Sequence, residues 1–416
     1  MTTVTVMSIS ALSASRVLPA HAAAPRINLL PVKSGNTAID AVLKGGSSWW
    51  HDSANVVGTA SVAGMSNARH ELTFSFMVTA NSSSAIDQRG FQAMDANARQ
   101  AVRDALAAAA TVANVTFTEV ESGGNIQFGT NNQQGKSGGY AYTPNSRDAD
   151  VASVYMANDA YPQSLTTWAP GTQGWAALVH EVGHALGLKH PGNYNAGGGT
   201  TAGPYLPASQ DTTRFSIMSY HDPADSTVAT SVDLGGGRSG VSLHHVQASG
   251  YQMVDIEALQ YMYGKSQGAA ETDAQTYAFS DSDADNGEFF KTISNSNGGS
   301  QIDASAVTRA SVIDLRAGHF SSIGVRNPYA ALGTSLNTAA KYAKAVHGAK
   351  PTYTGANNLG ISAGSHIDRA TSGSGADTIV GNDDGLNMIN SGAGNDTIYL
   401  GKSNSYVDAG SGTDTV

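Results

Sequence analysis

The chain has 416 residues, which is too long for one typical domain and is enough for two domains with sizeable cores. Its formal net charge of -10 argues against nucleic acid and anionic membrane surfaces as partners, and it is compatible with cation binding. The absence of cysteine excludes disulfides and thiolate metal sites, and no apolar run approaches the ~18 residues of a membrane span.

The N-terminal segment over residues 1–37 is predicted to be a disordered leader or propeptide. Its first stretch, MTTVTVMSISALSASRVLPAHAAAP, ends in small residues that resemble a signal-peptidase site. However, no basic residue precedes Arg16, and Ser and Thr interrupt the apolar stretch. A cleaved signal peptide is therefore the weaker alternative.

Residues 38–250 are predicted to form a domain with one sheet and two long helices. Alternating residues in ELTFSFMV predict a strand, and further strands are predicted at NVTFTEV, NIQFGTN and DVASVYM. Between the first two, apolar residues at helical spacing predict one amphipathic helix of about six turns from Ile86 to Ala110. A second helix carries GWAALVHEVGHAL. This combination is typical of an α+β catalytic domain.

The stretch HEVGHALGLKHPG, which begins at His180, predicts a zinc site. His180 and His184 stand at i and i+4 on a helix, so both imidazoles project from one face at a separation suited to a single tetrahedral Zn²⁺. Glu181 points beside that position, where a carboxylate can take a proton from metal-bound water. Gly187 permits a left-handed turn that ends the helix, and His190 can then return as the third ligand.

The spacing after the second histidine decides between two interpretations of this motif. A bare HExxH also fits two histidines on a helix face that make ordinary hydrogen bonds, whereas the added glycine and third histidine favour zinc. Downstream, RFSIMSYH places Met218 where it can form a hydrophobic floor beneath the histidines, with Tyr220 close behind it. Without the histidine motif, Met218 would be an ordinary core residue.

The composition changes after about Tyr263, where Gly, Asn, Asp, Ser and Thr begin to dominate and a repeat x-G-x-G-x-D-x-φ-x appears. Its copies are SGSGADTIV, SGAGNDTIY and AGSGTDTV, and two units make one coil. Carbonyl and aspartate oxygens suit Ca²⁺, which makes Asp377, Asp396 and Asp414 the candidate ligands. An apolar residue at a fixed phase favours a stacked core over a flexible linker. Residues 251–416 are therefore predicted to form a roll whose folding depends on Ca²⁺.

Four stretches resemble, in the same order, those of the serralysin-type metzincins, which are secreted bacterial zinc endopeptidases with a C-terminal calcium-binding (RTX) roll. They are HEVGHALGLKHPGNYNAG, DTTRFSIMSY, VDIEALQYMYG and VIDLRAGHFSSIG. The resemblance begins at about Ala38. It implies an α+β metzincin domain, with a mixed twisted sheet and an active-site helix, followed by an all-β parallel β-roll.

The resemblance also implies roles for particular residues. His180, His184 and His190 would be the ligands of one catalytic zinc, and Glu181 would be the general base. Met218 would form the Met-turn, and Tyr220 would be a fourth zinc ligand that moves to stabilise the oxyanion. Several structural Ca²⁺ ions would occupy the roll.

Partners and location follow from the same resemblance. It implies protein or peptide substrates, a monomer, export by type I secretion machinery, and an extracellular or cell-surface location. Because the chain stops inside a repeat at Val416, the roll is expected to be truncated. Asn295 and Ser300 stand where the family's first calcium loop is expected to carry aspartates, so we do not expect that loop to bind Ca²⁺. Asp368 stands where glutamate is more usual, which leaves its calcium site open.

Two rival functions remain open from the sequence. One is a calcium-binding surface protein with an inert protease domain, which the presence of Glu181 argues against, because a binding-only zinc site needs no base. The other is a zinc hydrolase of small amides. An extended cleft beside an edge strand would argue against it, since a peptide can bind there as an added strand.

Overall fold

The structure is a computed structural model that describes residues 26–28, 34–44, 49–51, 70–144, 151–159, 167–195, 199–236, 238–281, 288–329 and 350–416. Near the N-terminus it contains β1 (Arg26–Asn28), α1 (Thr37–Val42) and β2 (Trp49–His51). β1 pairs antiparallel with β2, although the sequence predicted disorder there. Residues 1–25 and 29–33 of the predicted leader lie outside the described residues.

A five-stranded sheet forms the centre of the first half. Its strands are β3 (His70–Phe76), β4 (Val115–Glu119), β5 (Ile126–Asn131), β6 (Gly139–Ala141) and β7 (Ala152–Ala157), in the order β4-β3-β5-β7-β6. All neighbours run parallel except β6 and β7, which run antiparallel. The sheet is therefore mixed, and β6 lies at one edge.

The predicted six-turn helix from Ile86 to Ala110 is wrong, because the chain forms two separate helices there. They are α2 (Ala85–Gln88) and α3 (Ala96–Val112). Between them Gly90 adopts a φ of 55°, and the Asp95 carboxylate accepts a hydrogen bond from the Ala98 N–H at 2.8 Å and so starts α3. The apolar periodicity continued across a glycine turn and a helix cap.

The core of the first half contains side chains from the sheet and from several helices. α4 (Gln173–Ala185) contributes Leu178 and Val182, and α5 (Met253–Tyr263) contributes Leu259 and Tyr263. The Tyr263 hydroxyl donates a hydrogen bond of 2.6 Å to the Leu186 carbonyl. The predicted domain boundary after residue 250 assigns α5 to the second domain, yet its buried side chains belong to the first core.

A long antiparallel hairpin separates α4 from α5. It consists of β8 (Thr227–Gly235) and β9 (Arg238–His245). No helix among the described residues is both long and apolar enough to cross a membrane.

The described part of the second half contains a short helix and many short strands. These elements are α6 (Ala269–Thr272), β10 (Thr276–Ser280), β11 (Lys291–Ile293), β12 (Ser300–Ala306), β13 (Val312–Asp314), β14 (Phe320–Ser321), β15 (Leu359–Ile361), β16 (Ile367–Thr371), β17 (Thr378–Val380), β18 (Leu386–Asn390), β19 (Thr397–Tyr399) and β20 (Asn404–Asp408). One sheet, β10-β12-β16-β18-β20, is parallel throughout, and so is β13-β17-β19. In the third sheet, β11-β15-β14, β14 runs antiparallel to β15. From β16 onward, successive strands alternate between the two parallel sheets.

The apolar residue of the first two repeats lies inside this second half, as its fixed phase predicted, whereas Val416 of the third repeat is 65% exposed. Ile313, Ile379 and Ile398 are in register across β13, β17 and β19, and all three are buried in the second core. Glycine is required at the turns because consecutive coils approach closely. A Cβ on Gly392 would lie 2.2 Å from the Gly373 carbonyl oxygen, and one on Gly410 would lie 1.8 Å from that of Gly392.

Replacing the central isoleucine of this row should destabilise the second half. We expect Ile379→Ala to lower the free energy of unfolding by about 2–5 kcal/mol, because it removes buried methyl groups and leaves a cavity. Chemical denaturation followed by circular dichroism measures the change. Tyr399→Ala, at a side chain that is 59% exposed on the adjacent strand, is the control and should change stability by less than about 0.5 kcal/mol. Equal effects of the two substitutions would contradict the packing described.

Candidate active site

Helix α4 positions the first two histidines of the motif. It begins where the Thr172 hydroxyl accepts a hydrogen bond from the Trp175 N–H, and His180 and His184 lie one turn apart on it. The chain then turns at Gly187, whose φ of 103° confirms the predicted left-handed turn. His190 follows that turn and faces the two helical histidines.

The three imidazoles meet through their Nε2 atoms. The Nε2 atom of His190 lies 3.2 Å from that of His180 and 3.0 Å from that of His184. Among the described residues, this is the one group of three His, Asp or Glu side chains placed to share one ion. Three nitrogen ligands with room for a further ligand are the donor set of a catalytic Zn²⁺ site.

Backbone carbonyls orient all three rings. The Nδ1 atom of His180 lies 2.8 Å from the Ile217 oxygen, that of His184 lies 2.9 Å from the Leu188 oxygen, and that of His190 lies 3.2 Å from the Tyr194 oxygen. A carbonyl can only accept, so each Nδ1 carries the proton and each Nε2 is left to bind a metal. These residues therefore fit a zinc ion.

Burial keeps these rings neutral, which metal binding requires. It lowers the pKa of His180 to about 4. It also lowers the pKa of His190 to about 3, with a further contribution from the charge of His180. The pKa of His184 is likewise lowered by burial, and then by the two neighbouring histidines.

Glu181 lies beside the histidines with one carboxylate oxygen uncommitted. Its side chain is buried, and Oε2 has no hydrogen-bond partner among the described residues. Burial raises the pKa of Glu181 to about 8. Glu181 and His180 line a cavity of about 470 Å³ that also reaches Lys136 and Gln247. A buried carboxylate of raised pKa in such a cavity suits proton transfer.

Met218 packs against the helix that carries the first two histidines, and Tyr220 lies beside His190. Met218 is fully buried, and its sulfur is 2.7 Å from the position of a Cβ on Gly183, so α4 needs glycine there. Tyr220 is 47% exposed, and its ring centroid lies 4.3 Å from that of His190. It also stacks on Tyr194 at 4.9 Å.

Comparison with curated proteins identifies the family. Metallopeptidase AprA from Pseudomonas marginalis is 33% identical over 293 residues, which cover 66% of this chain and 58% of that protein. Serralysin C from Dickeya chrysanthemi is 32% identical over 324 residues, which cover 72% of this chain and 60% of that protein. The chain is a relative of the serralysin-type metalloproteases. This confirms the resemblance predicted from the sequence.

The other comparisons add little to this relationship. No protein-family model matches the chain. Among solved structures, myroilysin is 16% identical with a TM-score of 0.29, and the match covers 48% of this chain and 97% of that one. The chain spans about six-tenths of the length of the two serralysin-type relatives above.

Sequence reasoning missed Asp255 in this serralysin relative. Its Oδ2 atom accepts hydrogen bonds from the N–H groups of Ile217 at 2.7 Å and Gln252 at 2.9 Å, and its Oδ1 atom accepts one from the Ser216 hydroxyl at 2.6 Å. Because the Ile217 carbonyl in turn bonds to His180, Asp255 holds the residue whose carbonyl orients the first histidine. Burial raises the pKa of Asp255 to about 6. The acidic residue inside the apolar stretch VDIEALQYMYG was the available signal.

Tyr194 was also missed, although it follows the motif closely. Its carbonyl accepts from His190, and its hydroxyl donates to Asp211 Oδ1 at 2.6 Å. The Ser219 hydroxyl donates to the same oxygen at 2.7 Å. Tyr194 therefore links the third histidine to the segment that carries Tyr220.

The three aspartates of the repeats form a ladder along the second half. Asp377 Oδ1 accepts from the Ser311 N–H at 2.6 Å, Asp396 Oδ1 accepts from the Asp377 N–H at 2.9 Å, and Asp414 Oδ1 accepts from the Asp396 N–H at 3.0 Å. The Oδ2 atoms of Asp377 and Asp396 are buried and have no hydrogen-bond partner among the described residues. Uncommitted carboxylate oxygens of this kind fit a hard cation such as Ca²⁺.

Removing the Asp255 carboxylate should weaken zinc binding. We expect Asp255→Ala to lower zinc affinity by roughly 10- to 100-fold, because Ile217, whose carbonyl orients His180, loses the acceptor of its N–H. Asp255→Asn, which keeps a carbonyl oxygen, should retain most of the affinity. Competition with a zinc-binding dye measures this in protein whose circular dichroism is unchanged. Glu257→Ala on the same helix is the control, and an Asp255→Ala protein that binds zinc normally would contradict the expectation.

Proposed function

We propose that this chain is a secreted, calcium-dependent zinc endopeptidase that hydrolyses peptide bonds in proteins. The observation that carries the proposal is the convergence of three histidine Nε2 atoms beside the uncommitted carboxylate of Glu181, which together with His180 lines a cavity next to an edge strand. The names of the relatives, metallopeptidase AprA and serralysin C, support the same reaction class.

The metal would be held by His180, His184 and His190, with Tyr220 as a possible fourth ligand. When bound, zinc supplies a Lewis acid that polarises a carbonyl oxygen and lowers the pKa of water. Glu181 accepts the proton of the attacking water and then delivers it to the leaving amine. Tyr220 donates a hydrogen bond to the substrate oxygen as negative charge develops there. Water is the nucleophile, so no acyl-enzyme forms.

Strand β6 offers a docking edge for an extended peptide. The N–H of Ala157 bonds to Gly138, and the N–H of Tyr142 bonds to Ser153, so these residues of the antiparallel pair face β7. By the alternation of such a pair, Gly139 and Ala141 direct their backbone groups to the outer edge, where no described strand pairs. A substrate can add there as a further strand, which favours proteins over small amides.

Calcium would bind in the repeats through Asp377, Asp396 and Asp414 together with turn carbonyls, in a parallel β-roll. The first calcium loop would stay without metal, because neutral hydrogen bonds already occupy it. The amide nitrogen of Asn295 donates to the carbonyls of Ala270 at 3.1 Å and Asp273 at 2.7 Å. The family resemblance supports export by type I secretion, action outside the cell and a monomeric state.

The general base is tested by hydrolysis of an unfolded protein such as casein. We expect Glu181→Ala to lower kcat by roughly 10²- to 10⁴-fold while zinc stays bound, because proton transfer is lost. The protein is refolded with Ca²⁺ and Zn²⁺, and bound zinc is measured for each variant. Equal activity of the two zinc-loaded proteins would overturn the role of Glu181. Inactivity of both, with or without residues 1–37, would overturn the protease function.

Calcium dependence is tested on the middle aspartate of the ladder. We expect Ca²⁺ to raise the Tm of the unsubstituted protein, and Asp396→Ala to remove much of that increase, because a ligand oxygen is lost. Calorimetry with and without Ca²⁺ measures the difference. Asp383→Ala, at an exposed acidic residue of the same region, is the control. The same increase in both variants would argue against a site at Asp396.

A further inference from the structure

Asp87 is a buried carboxylate that the proposed reaction does not use. It lies in the short helix α2 and is fully buried. Its Oδ1 atom accepts hydrogen bonds from the hydroxyls of Tyr140 at 2.8 Å and Tyr142 at 3.0 Å, and its Oδ2 atom accepts one from Ser82. Burial of Tyr140 and its own hydrogen bond to Asp87 raise the pKa of the Tyr140 hydroxyl, so that hydroxyl remains a donor. Burying a carboxylate is costly unless such partners compensate it.

The helix that carries Asp87 is itself attached to the central sheet. The side-chain amide of Asn131, on β5, donates to the Ile86 carbonyl at 3.1 Å and to the Tyr140 hydroxyl at 2.7 Å. Gly90 turns the chain directly after α2, and a Cβ there would lie 3.0 Å from the Cβ of Asn132. Asp87 is therefore held at a fixed position relative to β5.

The two tyrosines belong to the edge strand and its continuation. Side chains alternate along a strand, so Tyr140 and Tyr142 share one face of β6, and Gly139 and Ala141 share the other. On that other face, a Cβ on Gly139 would lie 2.8 Å from Cγ of Glu181. Tyr140 also stacks on Tyr155 of the neighbouring strand at 5.2 Å. The hydrogen bonds of Tyr140 and Tyr142 to Asp87 therefore lie on one face of β6, and the close approach of Gly139 to Glu181 lies on the other face.

We propose that Asp87 is a positioning residue for substrate, which fixes the edge strand β6 at the distance from Glu181 where an extended peptide pairs with it. The inference rests on the proposed function for the identity of the ligand, an extended peptide backbone. β6 has only three residues and one described neighbour strand, so its ladder alone holds it weakly. Two phenol bonds to one fixed carboxylate supply the missing constraint.

Variants can be chosen that remove different numbers of the hydrogen bonds between Asp87 and the two tyrosines. A carboxylate oxygen can accept both phenols at once, and asparagine keeps one such oxygen. Asp87→Leu replaces the carboxylate with an apolar side chain, so the hydroxyls of Tyr140 and Tyr142 lose this acceptor. Tyr142→Phe removes one bond and keeps the ring, which provides a milder variant if Asp87→Leu fails to fold. Tyr155→Phe is the matched control, because it removes a buried tyrosine bond to Asn81, of 2.7 Å, from the adjacent strand.

The first measurement is hydrogen exchange in the full-length protein. Loss of the hydrogen bonds from the tyrosines to Asp87 should raise the hydrogen-exchange rate of the β6 amides that bond to β7. We expect an increase of roughly tenfold in Asp87→Leu and a smaller one in Tyr142→Phe. Asp87→Asn should stay close to the unsubstituted protein. Tyr155→Phe should leave the exchange of β6 unchanged.

The second measurement is affinity for a peptide of about ten residues, in Glu181→Ala protein that cannot cut it. We expect Asp87→Leu to weaken binding roughly three- to tenfold, with rescue in Asp87→Asn. In the active protein, KM for the same peptide should rise by a similar factor while kcat changes less than twofold. Dipeptide amides too short to reach β6 should show no change in KM.

The outcomes separate this inference from the proposed function. Unchanged exchange and peptide affinity in folded Asp87→Leu and Tyr142→Phe proteins would overturn the inference, even if casein is cut. A fall in kcat at constant KM would also overturn it, because Asp87 would then act through Glu181. If the unsubstituted protein cuts nothing while peptide affinity still depends on Asp87, the inference stands and the endopeptidase proposal fails.

Discussion

Each imidazole of the candidate zinc site donates its Nδ1–H to a backbone carbonyl, and the rest of the site depends on this constraint. With Nδ1 engaged, only Nε2 can face the cavity, so the three rings become one set of ligands. The carbonyls belong to Ile217, Leu188 and Tyr194, which lie in different loops. The site therefore depends on the packing of the helix, the turn after it and the segment around Met218 against one another.

The motif itself was readable from the sequence because its geometry is local. His180 and His184 share a helix face, and Gly187 turns the chain back, so these positions follow from the helical period and from glycine's access to positive φ. Four strands of the first sheet were likewise predicted from the sequence, whereas the edge strand β6 was not. The repeat period predicted the stacked isoleucines of the second half, because each unit places one apolar residue at the same phase.

The parts that sequence missed depend on contacts between distant residues. Asp255 acts on a loop that comes much earlier in the chain, and Asp87 acts on tyrosines beyond two intervening strands. Neither of these contacts produces a recognisable pattern among neighbouring positions of the sequence. The break between α2 and α3 was missed for a different reason, because the apolar period continued through Gly90 and Asp95. A glycine turn follows the first helix and a side-chain cap starts the second, and neither changes the apolar period.

Helix α5 has a consequence for how the two halves can be separated. One side of it supports the Met-turn through Asp255. Just before its start, the Gln252 side chain contacts the second half, accepting from the Thr292 hydroxyl at 3.1 Å. The predicted domain boundary would cut the chain at residue 250, yet a fragment ending there would lack the helix that completes the first core. The two halves share a structural part, so the first half is not a module that can be excised at that boundary.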